Sequence, residues 1–337
     1  MSFSCISDFE SALARLPNAD PDAIAAAQAR QAQLTKPAGS LARLEELAIF
    51  FAGWQRRERP SIGRGRVLVF AGNHGVAIHG VSAFPADVTA QMVANFAAGG
   101  AAINALAAAS GLDLKVVPIN LDSPTADFTQ APAMSEGECL AALSMGAGAV
   151  EPDLGLIVVG EMGIGNSTAA AALAARSFGG NTTDWVGPGT GLDALGIARK
   201  IDVIDRALSF HADAPKDAFE TLRRVGGREI AAIAGAVLRA RQLRIPVILD
   251  GFISSSAIAP LAAVAPSIAA HCIAGHCSTE PGHELLLRKL GLEPLLRLGM
   301  RLGEGSGGAV AANIVRSALA VHANMATFGE AGVSAGE

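Results

Sequence analysis

The sequence predicts an α/β fold: a mostly parallel, Rossmann-like sheet flanked by helices, with a smaller helical subdomain built from the N- and C-terminal segments. Two observations predict it. Short runs rich in Val, Ile and Leu recur along the chain, each ending in a glycine-bearing or polar loop and followed by an alanine-rich helical stretch. The runs are apolar throughout rather than alternating, as strands covered on both faces are.

Taken in order, Pro21 to Gln33 reads as an Ala/Gln-rich helix, Lys36-Pro37-Ala38-Gly39-Ser40 as a turn, and Leu41 to Trp54 as an amphipathic helix. The first strand, Val67-Leu68-Val69-Phe70, runs into Ala71-Gly72-Asn73-His74-Gly75. Leu114 to Ile119 then leads to Asn120, and Leu156-Ile157-Val158-Val159 to Gly160-Glu161-Met162-Gly163. Pro246-Val247-Ile248-Leu249 leads to Asp250-Gly251-Phe252, and a run from Ile268 to Ile273 to Gly275-His276-Cys277-Ser278. The tail from Leu292 to Phe328 reads as largely helical. The expected division is a large α/β domain over residues 64–285 and a small, mainly helical subdomain from 1–63 plus 286–337. In a parallel sheet ligands bind beyond the carboxyl ends of the strands, so the polar loops belong to one candidate site.

Composition narrows the function classes. The 337 residues carry a formal net charge of -5, and Arg and Lys are scattered rather than clustered with aromatics, so nucleic acid is not an expected partner. Hydrophobic residues make up 50% of the chain, which raises the question of a membrane span. The most apolar stretch, Ala257 to Gly275, is interrupted by Pro260, Pro266 and His271 and reads as buried core. Met1-Ser2-Phe3-Ser4-Cys5 shows no basic segment followed by an apolar one, so the cytoplasm is the expected compartment. Cys5, Cys139, Cys272 and Cys277 are too irregularly spaced for a disulfide framework. His271-Cys272, His276-Cys277 and His283 contain no CxxC or HxxxH pair, so no metal is expected there.

The chemistry-bearing stretch is Gly303-Glu304-Gly305-Ser306-Gly307-Gly308. Glycines on both sides let the backbone approach a ligand closely and leave Glu304 as the loop's one strong proton acceptor, which suggests a general base. Strand, glycine loop and helix follow one another from Leu156 to Ala175, and backbone N–H groups there could hold a phosphate with Ser167 or Thr168 adding hydroxyls. An N-capped helix after a tight turn fits the same residues. The Walker lysine is missing and the glycine spacing is wrong for a dinucleotide fingerprint. A second glycine loop, Gly187 to Asp193, precedes a helix carrying Arg199 and Lys200, and a lysine there could neutralise a phosphate or carboxylate. Asp250 suits a hydroxyl-binding, loop-fixing or N-cap carboxylate. His74 has no nucleophile motif beside it, so a structural or ligand-orienting role is expected.

Lys36-Pro37-Ala38-Gly39-Ser40-Leu41, Gly72-Asn73-His74-Gly75-Val76, Gly160-Glu161-Met162-Gly163, Leu249-Asp250-Gly251-Phe252 and Met300 to Gly307 occur in this order. Together they resemble the nicotinate-nucleotide:dimethylbenzimidazole phosphoribosyltransferase family, often called CobT, from about residue 20 to 334. The resemblance implies transfer of the phosphoribosyl group of nicotinate mononucleotide to 5,6-dimethylbenzimidazole, giving α-ribazole 5'-phosphate and nicotinate in cobalamin lower-ligand assembly. It makes Glu304 the catalytic base, places Glu161 and Gly163 in the ribose- and phosphate-binding loop, and assigns Lys200, Ser278 and Glu280 to the nucleotide side. Phe84, Met92 and Leu302, with Met325, become candidates for the benzimidazole slot. Phe84 and Met92 stand where some relatives have polar residues, and Asn73 replaces an Asp found in others. A departing pyridine leaves a cationic N-glycoside unaided, so no cofactor is implied; a homodimer is. Other readings of the same residues are a non-catalytic nucleotide-binding protein and a nucleotide-dependent oxidoreductase. The latter would need a GxGxxG turn that Gly72 to Gly75 does not supply.

Overall fold

A computed structural model describes residues 1–189 and 191–334. Its centre is a parallel sheet of six strands: β1 (Gly65–Ala71), β2 (Asp113–Pro118), β3 (Leu156–Met162), β4 (Val247–Leu249), β5 (Cys272–His276) and β6 (Pro294–Leu296), in the order β2-β1-β3-β4-β5-β6. The chain goes outward from β1 to β2, then returns to place β3 on the other side of β1. That reversal opens a crevice beyond the carboxyl ends of β1 and β3, where α/β sheets bind ligands. Register puts Phe70 opposite Glu161 and Ala71 opposite Met162, so Glu161 stands at its rim.

The period-2 geometry of the strands sorts their side chains into two cores. Leu68, Phe70, Ile157, Val159, Val247 and Leu249 face one, against the helices Glu136–Ala149, Asn166–Phe178 and Arg228–Leu243. Val67, Val69, Val158, Ile248 and Ile273 face the other, against Arg43–Gln55, Ala102–Ala109 and Ser306–Asn324. β1 and β4 are buried at every position, which explains their unbroken apolar runs, whereas the edge strand β2 is half-exposed.

Two expected elements differ. Pro266–His271 forms a 3₁₀ turn with proline at its start, so β5 begins at Cys272 and carries His276 to the strand's end. The tail is not helical from Leu292: β6 and a loop occupy it until the helix starts at Ser306. Pro294 is tolerated because β6 is an edge strand. A further short helix, Ile6–Ala14, precedes the Pro21–Gln33 helix. The stretch Val88–Ala109 is long and apolar enough to cross a membrane by composition alone, yet it divides into the helices Val88–Ala98 and Ala102–Ala109 at Gly99 and Gly100.

The two chain ends meet directly. Arg30 donates to the carbonyls of His322, Ala323 and Met325 at 2.7, 3.1 and 3.2 Å, capping the final turn of the Ser306–Asn324 helix. Leu34 and Thr327 form an antiparallel bridge, and Thr35 N–H donates to Ala326 O at 3.0 Å.

Candidate active site

The crevice is a cleft of about 350 Å³ whose lining includes Phe84, Met92, Glu161, Gly163, Ser278, Glu280, Leu302 and Glu304. Residues scattered across more than two hundred positions of sequence therefore meet in one cleft: Glu161, Gly163, Ser278 and Glu280 at or just beyond strand ends, Leu302 and Glu304 in the loop before the last long helix, and Phe84 just before and Met92 within the Val88–Ala98 helix.

Glu304 is 5% exposed and sits at φ 63°, between Gly303 at 85° and Gly305 at 84°. Three successive left-handed residues, one of them not glycine, hold a strained turn that must be fixed from outside. Asp250, at the end of β4, fixes it. Its carboxylate accepts from Gly305 N–H at 3.1 Å and from Gly308 N–H at 2.8 Å. This settles the alternatives for Asp250 in favour of the loop-fixing carboxylate. Gly160 completes the support, since a Cβ there would lie 2.4 Å from Gly305 N and 2.5 Å from the Glu304 carbonyl carbon. The Oε2 of Glu304 is buried without a hydrogen-bond partner among the described residues. Burial first, then the charge of Asp250, raises the Glu304 pKa to about 7.

Glu161 is also buried, and Asn166 Nδ2 donates to its Oε2. Its pKa is pushed up to about 8, by burial first and then by Asp250, Glu229 and Glu304, with Asn166 pulling the other way. At neutral pH Glu161 is a proton-bearing donor. Gly163 must be glycine, because a Cβ would stand 2.5 Å from Gly72 O.

The structure brings only part of the expected phosphate loop to the cleft. The Asn166–Phe178 helix begins without a side-chain cap, and Ser167 faces the cleft. Thr168 does not, being fully buried, and the Ile164 N–H is already taken by Thr89 Oγ1 at 3.2 Å. Lys200 is absent from the lining. It lies behind the wall, 1% exposed, donating to Ser167 Oγ at 3.0 Å and Gly187 O at 3.2 Å. Burial lowers its pKa while Glu280 opposes the shift. Glu280 is itself raised by burial, against Lys200, the Gly189 N–H and Arg301. Thr190 of the second glycine loop lies outside the described residues. Ser278 N–H and Oγ both meet His283 Nδ1, at 2.9 and 3.0 Å, so that nitrogen accepts.

The mouth is apolar. Phe84 and Leu302 are half-exposed there, with Met92 and Val88 deeper on the Val88–Ala98 helix. Met325 is elsewhere, at the far end of the Ser306–Asn324 helix, and is no part of the slot. His74 shares a 2.6 Å hydrogen bond with Glu229, both fully buried, so its part is structural. Several lining residues had no role in the sequence reading: Asn166, which holds Glu161; His276, at the end of β5; and Arg301, at the rim. Arg301 had a usable signal in standing three residues before Glu304. His276 had none, because its neighbourhood resembled a failed metal motif.

A parallel sheet with a reversal crevice, an uncapped helix at a glycine loop and a buried carboxylate with an unpartnered oxygen facing the cleft define a group-transfer site for a phosphorylated small molecule. In keeping with that class, a family model described as phosphoribosyltransferase matches residues 16–333. A protein of Novosphingobium aromaticivorans named nicotinate-nucleotide--dimethylbenzimidazole phosphoribosyltransferase is 68% identical over 334 residues, 99% of each chain. Its namesake from Rhodobacter capsulatus is 57% identical over 321 residues, 95% of this chain and 96% of that one. A solved structure of CobT from Thermus thermophilus superimposes with a TM-score of 0.88 at 40% identity, over 94% of this chain and all of that one. The chain belongs to the nicotinate-nucleotide--dimethylbenzimidazole phosphoribosyltransferase family.

Proposed function

We propose that this cleft moves the phosphoribosyl group of nicotinate mononucleotide to 5,6-dimethylbenzimidazole, releasing nicotinate and α-ribazole 5'-phosphate for the lower ligand of cobalamin. The observation that carries the reading is Glu304: a buried carboxylate with one unpartnered oxygen, on a strained loop at an apolar-mouthed cleft. The C1'–pyridine nitrogen bond breaks with its electrons going to nicotinate, which leaves neutral at nitrogen and needs no acid. The unprotonated benzimidazole nitrogen attacks the opposite face, inverting the anomeric carbon, and the proton on the other ring nitrogen goes to Glu304. Protonated Glu161 donates to a ribose oxygen. Ser167, backed by Lys200, and Glu280 with Ser278 hold the nucleotide side, while Phe84, Met92 and Leu302 cover the flat acceptor base.

Chromatography after incubation with nicotinate mononucleotide, with and without 5,6-dimethylbenzimidazole, tests it. Equal yields of nicotinate and α-ribazole 5'-phosphate, only when the base is present, are expected. Nicotinate alone would mean hydrolysis and overturn the transferase reading.

The same proposal includes a homodimer, for which exposed apolar side chains such as Ile78, Leu195 and Leu298 offer contact surface and which light scattering checks, and a cytoplasmic location, which cell fractionation checks. It also treats the terminal segments, 1–63 and 286–337, as one cap, supported by Arg30 and the Leu34–Thr327 bridge.

A further inference from the structure

The last two glycines of Gly303 to Gly308 are unexplained by the strained turn, because both lie inside the first turn of the Ser306–Asn324 helix, where alanine would favour the helix by about 1 kcal/mol. Gly307 has a specific cause. A Cβ at this position would stand 2.1 Å from His276 Cδ2 and 2.6 Å from its Cγ and Nε2. The glycine exists to admit an imidazole against the helix start.

That imidazole is 2% exposed, lines the cleft, and brings its Nε2 to 3.7 Å from Asp250 Oδ1. Asp250 is the carboxylate that accepts from Gly305 and Gly308 N–H. One ring therefore touches the Glu304 loop twice, directly at Gly307 and through Asp250. On its other side, the His283 ring packs edge-on at 6.2 Å. The His276 Nδ1 is buried without a partner among the described residues, so the ring is held by packing against Gly307 and His283 rather than by a hydrogen bond.

We propose that His276 is a positioning residue for the general base: it wedges between Asp250 and the helix start and holds the Gly303–Gly308 loop in its left-handed course. This rests on the reading of Glu304 as the base. The ionisable groups around the pair are Asp250 at the end of β4, Glu304 and Arg301 in the loop, Glu161 at the end of β3, and Glu280 and His283 about the Pro281–Leu290 helix. Asp250 and Glu304 repel one another across the loop, and the Asp250 charge is a cause of the raised Glu304 pKa.

The test is steady-state kinetics with His276→Leu and His276→Gln in the full chain, alongside melting curves and Glu304→Gln. The Leu variant loses about 10–100-fold in kcat, the cost of a misplaced group, with KM for nicotinate mononucleotide within about threefold. The Gln variant recovers much of kcat, because its amide occupies the imidazole's place between Asp250 and Gly307 and can donate to Asp250. If the Leu variant does not fold, the Gln variant's kcat against KM decides. A folded Gln variant whose KM rises as much as its kcat falls overturns the proposal, as does a Leu variant with wild-type kcat. An active Glu304→Gln enzyme overturns the base assignment and this inference together, whereas an inactive one beside a wild-type-like His276→Leu overturns this inference alone.

Discussion

Lys200 donates a 3.0 Å hydrogen bond to Ser167 Oγ, which places the cation one hydroxyl away from the cleft rather than in it. The arrangement polarises Ser167 toward an anion and ties the helix start at Asn166 to the second glycine loop through Gly187 O. Lys200→Met, which keeps the stem and removes the charge, is predicted to raise KM for nicotinate mononucleotide about tenfold or more while lowering kcat much less. Initial-rate kinetics with the nucleotide varied check this. An unchanged KM would make Lys200 a loop brace only.

Glu304→Gln removes the proton acceptor and little else. Turnover is predicted to fall about 10²–10⁴-fold with nucleotide affinity within about threefold, measured by product chromatography and calorimetric titration. In the wild type kcat declines as pH falls through about 7, where Glu304 becomes protonated.

The same shift has a stability consequence with a defined sign. A carboxyl whose folded pKa is raised from 4.5 to about 7 gives stability that is complete below the unfolded value and is lost as pH rises through the folded one. Glu304→Gln is therefore predicted to melt about 2 °C or more above the wild type at alkaline pH, with the gap closing toward acid pH. Differential scanning calorimetry at both extremes checks it. Equal melting temperatures at alkaline pH would mean that the folded protein ionises Glu304 without strain.

Much of this site was legible in the sequence because its parts were glycines around a carboxylate, Glu304. The apolar runs showed which strands were buried on both faces, since β1 and β4 have no exposed position to encode as polar. Three things were not legible. β6 is three residues long and half-exposed, too short for a periodicity. Lys200 looked like a ligand contact because sequence does not say whether a helix turns a residue toward the cleft or behind it. Met325 shared a segment with the site but not a place, since the 19-residue helix from Ser306 to Asn324 carries it to the far end.

Glu161, with its pKa near 8, is protonated at neutral pH, so Glu161→Gln is nearly the same species. The substitution keeps a donor and the acceptor for Asn166 Nδ2. Activity at neutral pH is predicted to stay within about fivefold of wild type for Gln, and to fall well beyond tenfold for Glu161→Ala, which leaves buried Asn166 unpaired. The alkaline limb separates the two forms: wild-type activity declines above about 8 as Glu161 ionises, and the Gln variant's does not. Kinetics of both variants across pH decide it, and a Gln variant as impaired as Ala would show that the charged form is needed.

Gly160 ties the sheet to the base, because its Cα faces the backbone of Glu304 and Gly305 with no room for a methyl group. The contacted atoms are main chain, held by Asp250, so they cannot swing aside as a flexible side chain could. Gly160→Ala is predicted to cost about 1–3 kcal/mol of stability as an overpacked contact and to shift the Glu304 loop out of register with the acceptor. kcat should drop more steeply than nucleotide affinity, since Glu161 and Gly163 lie on the other side of the strand's end. Denaturant unfolding and single-turnover kinetics on the same preparation separate the effects. Full turnover in a destabilised Gly160→Ala protein would mean that the loop reaches its working geometry without support from β3.

The cap proposed for the two chain ends predicts the behaviour of residues 64–285 alone. In that fragment Val67, Val69, Val158, Ile248 and Ile273 lose the Arg43–Gln55 and Ser306–Asn324 helices and keep only Ala102–Ala109 as cover, leaving much of one face of the sheet open to water. A sheet buried on both faces in the whole chain cannot expose one of them and keep its packing. The fragment is predicted to be insoluble or to lack a cooperative melt, while co-expression with 1–63 and 286–337 fused through a flexible linker restores soluble complex. The Arg30 contacts to His322, Ala323 and Met325 make Arg30→Ala the point probe, since it leaves three terminal carbonyls of the last long helix without their donor. Circular dichroism melts of the fragment, the co-expressed pair and Arg30→Ala test the set, and a cooperative melt from 64–285 alone would refute the cap.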